Sequence, residues 1–159
     1  VTEALAAHIG APPGARIVES DRIRKALHGV PPETRLPEEA YRPEVSDRVY
    51  GEMVWRAELI LAGGGTVLAD AVFDRPADRT RIEKVAMEQH VPFIGIWLDV
   101  SPDVLWRRVD QRRGGPSDAT VDILSRQLKR NAGEITWRRF DADRSPADIL
   151  SGILAAPIN

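Results

Sequence analysis

The sequence contains no cysteine, which excludes disulfides and thiolate metal centres and accords with a reducing compartment. Histidine is scarce: His8, His28 and His90 are scattered without ligand spacing, so a histidine-built metal site is not expected. No run of about 18 apolar residues occurs, so no membrane span is expected. A basic stretch followed by a short apolar segment, the mark of a signal peptide, is also missing; the expected location is the cytoplasm. Neither a Gly-x-Ser-x-Gly elbow nor a Ser-His-Asp order is present. Charge of one sign is lacking too. The net charge is −2, which argues against broad, non-specific nucleic-acid binding. Lysine is nearly absent, with Lys25, Lys84 and Lys129 the only three among 22 basic residues. Arginine therefore carries almost all the positive charge. Much of that excess reads as coding bias, but arginine is also the side chain that clamps planar oxyanions such as phosphate.

The 159 residues suit one globular domain, and a 43% hydrophobic share supplies a real core. Val1 to Gly10 reads as an amphipathic helix already under way, with Leu5 and Ile9 on one face and Gly10 closing it. Because no strand precedes it, an upstream segment is expected. A strand is expected over 15–19 and a short helix over 22–27. Residues 29–43 form a long loop with proline or glycine at 29, 31, 32, 37 and 43. The longest helix spans 44–62, with Val45, Val49, Met53, Ala57 and Ile60/Leu61 along one stripe, and Gly63-Gly64-Gly65 ends it. Strands over 66–70 and 92–98 are apolar enough to be buried on both faces. Helices follow over 77–89, 102–113 and 120–132, with Gly114 to Asp118 as a break. A weaker strand covers 137–142, and a helix opened by Ser145-Pro146 runs to about 154. Alternation of strands and helices predicts an α/β fold with a parallel sheet.

Ligands of such sheets bind at the carboxyl ends of the strands, where Asp21, Asp70 and Asp99 fall. Asp21 lies in Ser20-Asp21-Arg22-Ile23-Arg24-Lys25. The Asp-x-x-Arg spacing puts Asp21 at a helix N-terminus and Arg24 one turn on. Asp21 reads both as an N-cap and as a carboxylate held beside a substrate, and the two are compatible. Asp70 follows an apolar strand and precedes Arg75 and Arg79; many strands end this way, so alone it says little. A carboxylate here can accept a proton from an attacking hydroxyl or hold Mg²⁺. Asp99 reads more simply as favouring the helix start after it. In Leu105-Trp106-Arg107-Arg108-Val109-Asp110-Gln111-Arg112-Arg113-Gly114, Arg108 and Arg112 share a helix face. Four arginines against one acid describe either a solvated face or a lid over phosphates. Ser117 and Asp118 read as a cap for the following helix, and Trp55, Trp97, Trp106 and Trp137 as packing.

Together these stretches resemble the small P-loop kinases, in the AAA-type group near gluconate kinase, zeta-toxin kinases and polynucleotide 5′-kinases. The likeness rests on Ser20 to Leu27, on Val67-Leu68-Ala69-Asp70-Ala71-Val72-Phe73, and on Arg108-Val109-Asp110-Gln111-Arg112 with Ser117-Asp118-Ala119. Leu124 to Leu128 and Phe140-Asp141-Ala142 extend it. The resemblance implies a three-layer P-loop NTPase-like parallel sheet flanked by helices, one domain over 1–159 with a lid at about 105–119. It implies an ATP- and Mg²⁺-dependent transfer of a γ-phosphoryl group to a small-molecule hydroxyl. Asp21 would be the general base, and Arg24 would contact the acceptor or the transferring group. Asp70 would lie near Mg²⁺. Arg108 and Arg112, with Arg113 beside them, would close over the ATP phosphates. Arg75, with Tyr41 and Arg42 from the 29–43 loop, would face the substrate. The pattern departs from the family in one respect: Gly-x-x-x-x-Gly-Lys-Ser/Thr is absent. The first strand and phosphate loop, roughly 12–20 residues, are expected upstream of Val1, where relatives of this type often carry an aminoglycoside-phosphotransferase-like domain. Without that segment the chain is not expected to bind ATP well. An inactive nucleotide-binding regulatory module and a polynucleotide 5′-kinase are the alternatives; nucleic acid is not the expected partner, since no basic groove is evident.

Overall fold

The computed structural model describes residues 1–111 and 132–156. The expected breaks at 114–118, the helix over 120–132 and most of the 105–119 lid therefore lie outside the described residues. Helix α1 covers Thr2–Ala6, β1 Arg16–Glu19, α2 Ser20–Leu27 and α3 Pro43–Ala62. Strand β2 follows at Val67–Asp70, α4 at Pro76–Glu88, β3 at Ile96–Asp99, α5 at Pro102–Gln111, β4 at Arg138–Asp141 and α6 at Pro146–Ala155. The architecture is α/β, with parallel strands flanked by helices in a P-loop NTPase-like arrangement.

The first helix is shorter than its apolar pattern suggests. The Ala6 carbonyl accepts the Ala15 amide at 2.8 Å, turning the chain back into β1. Gly10 takes φ +81°, and a side chain there would run into Thr66, the residue before β2. In α3, Pro43 presets the first-turn φ and Gly63 takes over as C-cap, its amide reaching the Leu59 carbonyl. The apolar stripe buries Val49, Met53 and Ala57 with Tyr50 beside them. These pack with Val18 of β1, Ile23 of α2, Phe73, and Ile82 and Val85 of α4 in one core. Ser145 caps α6 as expected, accepting the Asp148 amide at 3.2 Å. The 29–43 loop is more ordered than its proline content suggests. It holds a 3₁₀ turn at Glu38–Tyr41 and is tied to α2 by Lys25, whose buried ammonium donates to the Thr34 carbonyl.

Among the described residues the strands stand in two parallel pairs, as expected of a sheet that lacks a central strand, and the burial expected of two of them needs correction. Strand β1 pairs in parallel with β2, Arg16 opposite Val67 through Glu19 opposite Asp70. Strand β3 pairs in parallel with β4, Ile96 opposite Arg138 through Asp99 opposite Asp141. These are two separate two-stranded halves. Strands β2 and β3 are not buried on both faces: all four β2 residues are half-buried and Leu98 of β3 is exposed. Full burial of a parallel strand needs elements packed over both of its faces, and β2 and β3 are only partly covered. Residues 92–95 stay outside β3, with Phe93 and Ile94 exposed. The halves meet through side chains, since Trp97 and Trp137 of the second pack against the core of the first.

Candidate functional site

The β1–β2 register sets Glu19 beside Asp70, so the carboxyl ends of both strands, and the segments that leave them, open on one side. Helix α2 begins at Ser20, earlier than expected. Glu19, not Asp21, is the N-cap residue, and Asp21 sits in the first turn. The cap reading of Asp21 is therefore corrected, while its place at the strand end stands.

Arg24, one turn on, is buried. Its Nη1 donates to the Ala40 carbonyl at 2.6 Å, and both Nη atoms lie 3.5 Å from Ser46 Oγ. The guanidinium sits 4.8 Å from the Tyr41 ring, close enough for cation–π attraction. Its Nε is buried without a hydrogen-bond partner. Burial lowers the pKa of Arg24, opposed by Tyr41, Asp21 and Tyr50 and reinforced by the positive charge of Arg75. Arg24 is thus the group on which these four neighbours act. Tyr41 is half-buried over Arg24, whereas Arg42 stands exposed as the N-cap of α3.

Arg75 caps α4 from the other side. Its Nε donates to Asp78 Oδ2 at 2.6 Å and its Nη1 to Asp47 Oδ1 at 2.7 Å. Burial works against its charge, but the hydrogen bonds to Asp78 and Asp47 hold its pKa above the ordinary arginine value. The guanidinium lies 5.4 Å from the Tyr50 ring, and Nη2 is buried without a hydrogen-bond partner. Arg24 and Arg75 thus each keep a buried donor without a hydrogen-bond partner, and Arg75 lies against Tyr50.

Asp70, half-buried at the end of β2, accepts a 2.7 Å hydrogen bond from the Thr2 hydroxyl of α1. Among the described residues no three acidic or imidazole side chains form a preformed metal cage. Magnesium needs none, because it takes one or two carboxylates, waters and substrate phosphates. A lone carboxylate beside a hydroxyl, both hard oxygen donors, fits that demand.

Of the expected lid arginines, Arg108 is among the described residues. Arg108 donates from Nη1 to the Ala142 carbonyl at 2.7 Å and from Nη2 to the Arg144 carbonyl at 2.9 Å. It thereby ties α5 to the turn after β4. Arg112 and Arg113 lie outside the described residues. Asp99, read from sequence as favouring a helix start, forms a two-point pair with Arg139 at 2.7 and 2.8 Å, and that hydrogen bonding pulls its carboxyl below the usual range.

Sequence reasoning missed Asp47, Tyr50 and Asp78. The signal available was helical spacing: Ser46, Asp47 and Tyr50 crowd the first turns of α3, beside the apolar stripe and next to the loop that carries Tyr41. Asp78 stands three residues after Arg75, the i, i+3 distance that lets an acid reach a helix-starting arginine.

Residues 2–133 match the profile of a family described as AAA domain. The uncharacterized protein Rv2004c of Mycobacterium tuberculosis strain H37Rv is 28% identical over 132 residues, covering 80% of this chain and 26% of that protein. The uncharacterized protein Mb2027c of Mycobacterium bovis matches with the same identity and coverage. The chain thus spans about a quarter of the length of the curated relatives it matches. With parallel strands flanked by helices and a match over most of its length, the chain belongs to this AAA-domain family of the P-loop kinase superfamily.

Proposed function

We propose that this domain transfers the γ-phosphoryl group of ATP to a hydroxyl of a small molecule. The observation that carries the reading is the convergence of Asp21, Arg24, Tyr41 and Arg75 at the carboxyl end of the β1–β2 half, with Asp70 on the neighbouring strand end. In this reading Asp21 accepts the proton of the acceptor hydroxyl as its oxygen attacks the γ-phosphorus and the bond to the leaving ADP oxygen breaks. Arg24 and Arg75 orient the acceptor and offset the charge of the transferring group through their unused N–H donors. Tyr41 stacks on Arg24 and walls the acceptor side. Asp70, with Thr2, would hold Mg²⁺, which supplies charge neutralisation to the phosphates when bound.

The phosphate loop and its strand are proposed to come from sequence upstream of Val1. The separation of the sheet into two halves supports this, since the free edges of β2 and β3 are suited to receive a further parallel strand. Upstream of that, an aminoglycoside-phosphotransferase-like domain remains the proposed partner within the longer protein. Arg108, Arg112 and Arg113 are proposed to approach the ATP phosphates, although Arg108 would first have to give up its two carbonyl partners.

The test is ATP turnover by the full-length protein with a panel of hydroxylated acceptors. Phosphorylated product should form, and Asp21→Asn should lower kcat by at least about 100-fold, the low end of general-base contributions. Failure of the full-length protein to bind ATP, or an unaltered rate in Asp21→Asn, defeats this reading; nucleotide binding without transfer to any acceptor would instead favour a regulatory module.

A further inference from the structure

The loop from Asp70 to Arg75 contains a residue in an unfavourable backbone state. Phe73 has φ +48°, the left-handed region that aromatic side chains rarely adopt. Such conformations persist only where the surroundings over-determine them. Here three independent contacts do so. The Phe73 amide donates to the Tyr50 hydroxyl at 3.1 Å. Its carbonyl accepts from Arg79 Nη1 at 2.7 Å. Its ring is buried edge-on between Tyr50 and Trp137, with centroids 5.5 and 5.1 Å away.

Arg79 is unusual in its own right. It is only 5% exposed, yet among the described residues it makes no ion pair. Its remaining bonds go to the Ala132 and Glu134 carbonyls, at 2.6 and 3.2 Å. A buried guanidinium spent on three main-chain carbonyls fixes backbone, and one of those carbonyls belongs to the strained residue. Tyr50 likewise serves twice, holding the Phe73 amide with its hydroxyl and facing the Arg75 guanidinium with its ring.

We infer that Tyr50 and Arg79 are positioning residues that hold Phe73 in its left-handed conformation and so set the relative placement of Asp70 and Arg75. The inference rests on the phosphotransferase reading, in which those two residues flank the transferring group. Phe73 stands three residues after the one and two before the other. Relaxing its φ into the common region would redirect the chain between them.

Two measurements on the full-length protein test it. The first is amide exchange at residues 71–75. Tyr50→Phe keeps the ring and the core but removes the acceptor for the Phe73 amide, and should speed its exchange at least tenfold while the α3 amides keep their protection. The second is ATP hydrolysis, with water standing in for the unidentified acceptor. Tyr50→Phe should lower kcat about tenfold and leave KM for ATP within twofold. Arg79→Lys, which keeps the charge but cannot reach three carbonyls, should behave alike, and Arg79→Met should be worse. Faster Phe73 exchange with unchanged kcat overturns the positioning role and leaves the phosphotransferase reading intact. Unchanged exchange overturns the clamp itself. No hydrolysis by the unaltered protein overturns the phosphotransferase reading and this assignment with it.

Discussion

Asp78→Asn and Asp47→Asn remove one negative charge each from the same guanidinium, and the structure predicts very different costs. Both carboxylates meet Arg75 at nearly equal distances, 2.6 Å for Asp78 and 2.7 Å for Asp47. What differs is water: the Asp78 side chain is 1% exposed and the Asp47 side chain 56%. Breaking a fully buried pair costs about 3–5 kcal/mol, because the abandoned charge has no solvent. Arg75 is itself 31% exposed and keeps Asp47, so the cost of Asp78→Asn should fall below that range, to about 2 kcal/mol. Asp47→Asn should cost roughly 0.5 kcal/mol or less, since an exposed pair is screened. At this chain length 1 kcal/mol corresponds to about 2–4 °C in Tm. The expected drops are then about 4–8 °C for Asp78→Asn and at most about 2 °C for Asp47→Asn. Chemical denaturation of both variants and of the double variant, beside thermal melts, measures this directly. Equal losses from the two single variants, or a loss under about 0.5 kcal/mol for Asp78→Asn, would refute the argument that burial sets the worth of these pairs.

Three further outcomes are expected. Tyr50 is pushed up to about 12, chiefly by burial and against the Phe73 amide that it accepts. Its neutral form is thus favoured in the folded chain, so its contribution is fully present below about pH 10 and is lost as pH rises through about 12, some 3 kcal/mol in all. Denaturation at pH 9 and pH 11.5 should show a steeper alkaline loss in the unaltered protein than in Tyr50→Phe; parallel curves would count against the shift. Met53 is 1% exposed in the centre of the core, so Met53→Ala should cost about 2–4 kcal/mol in urea unfolding, and a smaller loss would mean that the core collapses around the gap. A labelled oligonucleotide titrated at two salt concentrations should show no salt-dependent binding, and a clear dependence would revive the polynucleotide-kinase alternative.

Much of the fold was legible because it rests on local rules. The stripe Val49–Met53–Ala57, the glycine stop of α3 and the Ser145 cap follow from helical period and backbone chemistry, and all are observed. The position of Asp70 at the end of β2 and of Asp21 just after β1 was equally readable, since each follows a short apolar run that ends in a polar segment. The misreadings came where distant segments decide. Gly10 looked like the end of one helix, but the helix stops at Ala6 because the Ala6 carbonyl is taken by Ala15 from beyond the turn. Arg108 shows the same dependence on distant segments: carbonyls 34 and 36 residues away hold its guanidinium, contacts that spacing along α5 does not reveal.

By itself the sequence determined the α/β class, the order of the elements, the absence of thiol chemistry and the candidacy of the Asp-x-x-Arg helix start. These depend on residue type and on spacing within a turn or two, where geometry is set by the backbone alone. Only the tertiary structure decided that Arg24 lies over Tyr41 and Arg75 over Tyr50, that Asp78 is sealed from water beside an arginine while Asp47 is not, and that Phe73 is held in a strained state. Burial and long-range electrostatics are properties of the packed chain. The same aspartate in the same local sequence has a different energetic weight once other segments have excluded water from it.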